Sequence, residues 1–205
     1  MHMSNEPIVF IVDDDEAVRE SLYATIHAMS LHTKCFDSAE AFLDAVDPTQ
    51  PGCLLLDVRM PGMTGIKLQE QLVATKIDLP VIIITGHADI PMAVQSMQQG
   101  AVDFLEKPYR SNRLRESVLE ALKFDAQRRQ EQEEQKGVET KLARLTESEN
   151  DVVQRIVSGR TNKQIASELD ISLRTVQFRR SSIMEKLDVD SRAALIELVL
   201  SNQGR

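Results

Sequence analysis

The chain has 205 residues, 42% hydrophobic and 27% charged, with a formal charge of −8, an ordinary globular composition that taken whole argues against a nucleic-acid binder. The average hides a segregation: residues 1–124 carry 10 basic and 18 acidic side chains, residues 125–140 carry 3 and 5, and residues 141–205 carry 11 and 9. No apolar run reaches the length of a membrane span and no secretory leader is recognisable, so a cytoplasmic location is expected.

Met1-His2-Met3 reads as an added start ahead of Met3. Apolar runs at 8–12, 33–36, 53–56, 81–84 and 101–105 then predict five strands, and helical patterning at 16–30, 38–46, 65–75, 90–99 and 111–124 alternates with them. The third and fourth runs are continuously apolar, as in strands covered on both faces of a parallel sheet. Pro91 lies just inside the fourth helix and Gly100 just past its end, where each is best accommodated. Five β–α repeats predict a small doubly wound α/β domain over residues 6–124. Cys35 and Cys53 lack metal-ligand spacing and read as small buried side chains.

The stretch 125–137, DAQRRQEQEEQKG, holds strong helix formers with Gly137 as an expected stop. It reads as a linker over 125–140, either a solvated extension of the fifth helix or a flexible segment. A coiled coil is disfavoured, because no a/d apolar repeat is present. From residue 146 the period is purely helical. Thr146 with Glu149 and Thr161 with Gln164 fit capping boxes, and Ser172 and Ser191 suit N-caps. Four short helices are expected in 141–205, with those at about 162–169 and 173–187 forming a helix-turn-helix. An acidic front and a mildly basic back indicate two units with different partners.

In an open α/β sheet, ligands bind outside the carboxyl ends of the strands. Asp13 and Asp14 end the first strand, Asp57 the third and Thr85 the fourth, while Lys107 follows the fifth. Carboxylates converging on one edge repel each other, and a hard divalent cation with oxygen ligands relieves that repulsion. An ammonium and a hydroxyl nearby suit an added phosphoryl group, and a carboxylate such as Asp57 is able to form an acyl phosphate. Singly, each of these residues is as well explained as a turn former; together, at four strand ends, they point to a site.

The motifs VDDD (12–15), LLLDVRMPGMTG (54–65), IITGHADI (83–90) and DFLEKPY (103–109) make residues 6–124 resemble the receiver domain of two-component response regulators. The resemblance implies a flavodoxin-like (βα)5 fold with sheet order 2-1-3-4-5. It implies that Asp57 accepts phosphate from a sensor histidine kinase with Mg²⁺ (or Mn²⁺). Asp14, Asp57 and the backbone carbonyl of Arg59 would be direct ligands and Asp13 a ligand through water. Lys107 would pair with the phosphoryl group, next to a cis bond to Pro108. Thr85 and Phe104 would act as the switch pair, and Arg59 and His87 would tune phosphoryl lifetime. In that strand order Cys35 and Cys53 lie two strand spacings apart, roughly 10 Å, beyond disulfide reach.

In the back unit, Val176, Ile183 and Leu187 form one apolar stripe on the third helix, with Arg180 packed beside it. The opposite face presents Arg174, Gln177, Phe178, Ser181, Ser182 and Glu185 to a major groove. Lys163, Thr175 and Arg179 suit phosphate contact. The stretch LTESENDVVQRIVSGRTNKQIASELDISLRTVQFRRSSIMEKL (145–187) resembles the LuxR-type DNA-binding domain, and the whole chain resembles a FixJ-like regulator of the NarL/FixJ class. The resemblance places Gln177, Phe178 and Ser181 at base-reading positions, although those positions are often basic or smaller in the family and Arg179 stands where histidine is common. The expected partners are a sensor histidine kinase, double-stranded promoter DNA and a second copy of the chain, paired on phosphorylation through the fourth helix and fifth strand. Release of a shielded DNA-binding domain is the alternative switch. Turnover on a separate substrate is not expected: an aspartyl phosphohydrolase would want a general acid where Arg59 stands. A phosphorylation-independent DNA-binding regulator and a protein-interaction adaptor are the remaining rivals.

Overall fold

The structure, a computed structural model, describes residues 6–86 and 90–203. Strands β1 (Ile8–Val12), β2 (His32–Phe36), β3 (Gly52–Asp57), β4 (Val81–Thr85) and β5 (Asp103–Glu106) form one parallel sheet in the order β2-β1-β3-β4-β5. Helices α1 (Glu16–His27), α2 (Ala39–Ala45), α3 (Gly65–Ala74), α4 (Ile90–Gln98) and α5 (Ser111–Leu142) supply the crossovers that parallel strands need. The expected architecture and strand order are both present.

Alternation along the strands divides the core. Phe10, Val12, Leu54, Leu56 and Ile83 meet Ala39 and Phe42 of α2 and Leu68 and Leu72 of α3 on one face. Val9, Ile11, Cys53, Leu55, Ile82 and Ile84 meet Leu22 and Ile26 of α1 and Leu114, Val118 and Ala121 of α5 on the other. This is why β3 and β4 are apolar at nearly every position: both faces are covered and both strands are buried throughout. Each fully buried Leu or Ile contributes about 1.5–3 kcal/mol, so the sheet is a rigid base for whatever its carboxyl edge carries. Cys53 is buried and Cys35 exposed on the edge strand β2, and both are free thiols. The exposure of Cys35 departs from the expected buried side chain because β2 has a neighbour on one side only.

Helix α5 runs on through the stretch read as a linker, as the solvated extension that was one of its two readings, and ends at Leu142. Gly137 does not stop it, and is absent from the glycines with positive φ. One internal glycine costs about 1 kcal/mol relative to alanine, which the surrounding Gln, Glu and Lys outweigh. The chain divides into compact units at Arg129 and Gln130, so the first unit takes in the start of the linker.

The second unit holds α6 (Glu147–Val157), α7 (Asn162–Glu168), α8 (Leu173–Leu187) and α9 (Arg192–Gln203). Both capping boxes are formed, and Ser172 and Ser191 accept from the backbone N–H groups of Thr175 and Ala194. Val176, Ile183 and Leu187 are buried with Val152, Val153, Ile156, Ile165, Leu195 and Val199 in one core. Among the described residues no helix is long and apolar enough to cross a membrane.

Candidate functional site

Strands β1, β3 and β4 end at the same edge, delivering Asp13, Asp57 and Thr85, which are 2%, 7% and 1% exposed. Two carboxylates so buried need compensation. It comes from Lys107, just past β5, whose ammonium lies 2.6 Å from Asp13 Oδ2 and 2.8 Å from Asp57 Oδ1. The Lys107 N–H donates to the Thr85 carbonyl at 2.8 Å, which fixes the loop that carries the ammonium. The Lys107–Pro108 peptide is cis, as the resemblance implies.

Asp13 is tied down from every side. Its Oδ1 accepts from the Asp15 N–H at 3.0 Å, its carbonyl accepts from Arg19 Nη1 at 2.7 Å, and its N–H donates to the Phe36 carbonyl at 3.3 Å. Burial raises the Asp13 pKa above the ordinary carboxylate value, against the opposing hydrogen bonds from Lys107 and the Asp15 N–H. For Lys107 burial pulls downward, but hydrogen bonds to Asp13 and Asp57 outweigh it and raise its pKa above the usual lysine value. Arg19 has no signal in the sequence, because the link from α1 to the end of β1 exists only after the two pack.

Asp57 Oδ2 accepts the Arg59 N–H at 2.6 Å. Behind it stands Gly65, the first residue of α3, whose N–H donates to the Val58 carbonyl at 3.0 Å. A Cβ on Gly65 would lie 2.2 Å from the Asp57 carbonyl oxygen, so only glycine permits this approach. The Arg59 side chain is exposed, and His87 lies outside the described residues.

Thr85 pairs in register with Glu106, and Ile83 with Phe104. Thr85 and Phe104 therefore belong to the same face of neighbouring strands. Phe104 is half-buried against the α2–α3 side of the core, and it lines a surface cleft of about 470 Å³ with Tyr109 and Arg113.

The donor chemistry fits a hard divalent cation: Asp13 and Asp57 are two buried all-oxygen donors, and Mg²⁺ takes only one or two carboxylates, keeping several waters. Asp14 stays exposed beside them, and among the described residues no three His, Cys, Asp or Glu side chains are gathered as a metal cluster.

In the second unit α8 is held from beneath by Glu149. Its carboxylate accepts from Lys186 Nζ at 2.7 and 2.9 Å, from Ser182 Oγ at 2.7 Å and from the Thr146 N–H at 2.8 Å. Burial acts to raise the Glu149 pKa, but these donors hold it down to about 2. The sequence marked Glu149 only as a capping-box residue and set Ser182 on the outer face; the structure turns Ser182 inward. Arg180 is half-buried and donates to Asn162 Oδ1. Gln177, Phe178, Ser181 and Arg174 are exposed, Phe178 by 75%. Lys163 is also exposed, Arg179 reaches the Ser148 carbonyl at 3.4 Å, and the Thr175 hydroxyl lies 2.8 Å from that of Ser172.

An acid pair closed by a lysine at the carboxyl edge of a doubly wound sheet, followed by a capped helix-turn-helix with an exposed outer face, defines a receiver coupled to a DNA-binding module. The response regulator receiver domain family matches residues 9–119, and the luxR family of bacterial regulatory proteins matches 143–199. Response regulator protein TmoT of Ectopseudomonas mendocina is 40% identical over 96% of this chain and 90% of its own length. Transcriptional regulatory protein FixJ of Bradyrhizobium diazoefficiens is 36% identical over 97% of both. Among solved structures, response regulator StyR superposes with a TM-score of 0.88 at 45% identity, covering 95% of this chain and 98% of that one. Full-length FixJ from B. japonicum gives 0.58 at 34% identity, covering 96% and 97%. The chain belongs to the response-regulator family, among the transcription regulators that join a receiver to a LuxR-type DNA-binding domain.

Proposed function

We propose that Asp57 is the phosphoacceptor of a phosphorylation-gated transcription factor. The observation that carries this reading is the Lys107 ammonium shared between Asp13 and Asp57 at 2.6 and 2.8 Å. A carboxylate oxygen of Asp57 attacks the phosphorus of a phosphohistidine on a sensor kinase. An O–P bond forms, the P–N bond breaks, and the electron pair leaves with the kinase imidazole. Asp14, Asp57 and the Arg59 carbonyl, with Asp13 through water, would hold Mg²⁺, which supplies positive charge for the phosphoryl oxygens. Lys107 exchanges its contact with Asp57 for a charge-assisted bond to the new phosphoryl group. Thr85 turns its hydroxyl toward that group, and Phe104, on the same sheet face, fills the space behind it. The group stays on Asp57 until water removes it, so the protein is a switch and not a turnover enzyme.

Phosphorylation biases a two-state receiver, and α4 and β5 then pair with their copies in a second chain. Val94 and Met97 on α4 are about half exposed, as suits a face that is covered only in the dimer. Two helix-turn-helix units so joined bind paired half-sites in promoter DNA, with Gln177, Phe178 and Ser181 toward the bases and Lys163, Thr175 and Arg179 toward phosphates. This role places the protein in the cytoplasm with its DNA.

Light scattering with Mg²⁺ and beryllium fluoride, a phosphoryl mimic, tests the reading. A dimer forms with the mimic and not in Asp57→Asn. A mass that ignores both the mimic and the substitution overturns dimerisation gating.

A further inference from the structure

The buried charge at the end of β3 opposite Asp57 has no part in the chemistry above. Asp125 lies on α5 one residue beyond the predicted receiver boundary and is 1% exposed. Its Oδ2 accepts the Gly52 N–H at 2.9 Å and Arg129 Nε at 2.8 Å, and its Oδ1 accepts Arg128 Nη2 at 2.7 Å. The rest of the Arg129 fork donates to the Thr49 and Gln50 carbonyls, both at 2.9 Å. Arg128 also donates to the carboxylate and the carbonyl of Asp78.

Two carboxylates and two guanidinium groups thus form a neutral cluster, with Asp125 buried at its centre, Arg128 and Arg129 partly covered, and Asp78 exposed at its rim. It fastens α5 to the α2–β3 loop, to the first residue of β3 and to the α3–β4 loop. Gly52 allows no adjustment there: a Cβ on it would lie 1.9 Å from the Ile8 carbonyl oxygen. Beyond the cluster, residues 130–137 are all exposed. An exposed helical segment of that length is marginal by itself, because nucleation is unfavourable and no apolar face offsets it.

We propose that Asp125, Arg128 and Arg129 form a stiff joint. The joint nucleates the linker helix from the receiver and so shortens the flexible tether to the DNA-binding domain. It thereby lets activated receivers place two DNA-binding domains on paired half-sites. This rests on the dimerisation reading above. A helix that frays from residue 125 leaves each DNA-binding domain on a longer flexible tether and lowers its effective concentration at the second half-site. The three are positioning residues, and they lie at the end of β3 opposite the phosphoacceptor Asp57.

The test uses the full chain as wild type, Asp125→Asn and Arg129→Lys. Arg129→Lys keeps the charge but loses the fork to Thr49 and Gln50, and it stands in if the first variant fails to fold. Hydrogen exchange is read at amides 126–136 and at β1 and β4. Affinity is read, with Mg²⁺ and beryllium fluoride, for single and paired half-sites selected with the wild-type protein. The variants exchange about tenfold faster at 126–136 with β1 and β4 unchanged. They keep mimic-dependent dimers and single-site affinity, and lose about tenfold of the paired-site advantage. Unchanged exchange at 126–136 overturns the joint, and an unchanged paired-site advantage overturns its role on DNA. A wild-type protein with no paired-site advantage overturns dimerisation gating itself, while the exchange measurement still decides whether the joint is stiff.

Discussion

Lys107 and Asp13, 94 positions apart in the chain, meet at 2.6 Å, and the same ammonium reaches Asp57 at 2.8 Å. That one cation allows two acids to lie buried side by side at the end of the sheet.

Removing it leaves both carboxylates without their counter-charge. Lys107→Met is expected to destabilise the receiver by about 3–5 kcal/mol, the usual cost of stranding a buried charge. Thermal unfolding followed in the receiver reads this. The same variant loses its mass response to beryllium fluoride, because no ammonium greets the mimic. A variant as stable as wild type would mean that solvent already screens the pair.

Gly65→Ala tests the backbone behind Asp57. The added methyl has to displace the Asp57 carbonyl or the start of α3, and strain of this kind costs about 1–3 kcal/mol. The expected result is a lower unfolding midpoint together with a weakened response to the mimic. Full retention of both excludes the close approach as a constraint on the phosphoacceptor.

Glu149 sets an acid limit for the second unit. Its pKa is depressed in the folded state, from 4.5 to about 2, so its stabilisation is complete above 4.5. It is lost as pH falls from 4.5 toward about 2, because the unfolded chain then takes up the proton first. NMR signals of α8 in the full chain should therefore lose stability against urea across that window. Glu149→Gln flattens the pH dependence and lowers stability at neutral pH by about 2–4 kcal/mol, since Lys186 is left unpaired. An identical pH slope in the variant would remove Glu149 from the account.

On DNA, base and phosphate contacts should separate by salt. Lys163→Ala or Arg179→Ala lowers the slope of log affinity against log salt by about 1, uniformly across sequences. Phe178→Ala leaves that slope unchanged but relaxes the base preference of selected sites by about 1–3 kcal/mol at one position. A Phe178→Ala protein with wild-type site preference places that ring against something other than a base.

Local patterns were legible because their causes are local. Continuous apolar runs marked β3 and β4, hydroxyl-to-carboxylate spacing marked the starts of α6 and α7, and the period of Val176, Ile183 and Leu187 marked the buried side of α8. Convergence of Asp13, Asp57, Thr85 and Lys107 followed from one rule of parallel sheets, that strand ends share an edge. The length of α5 was misread at Gly137, since a propensity of about 1 kcal/mol is too small to decide a helix alone.

Sequence by itself thus determined the two-part architecture, the strand order implied by family resemblance, and the identity of the acids at the sheet edge. Only the tertiary structure decided which groups neutralise those acids, that Arg19 braces Asp13, that Glu149 holds α8 by Lys186 and Ser182, and that Asp125 joins α5 to the start of β3. Each of these is a pairing of buried charges or polar groups far apart in the chain. Burial makes a partner obligatory, but a sequence does not say which distant residue packing will bring within 3 Å.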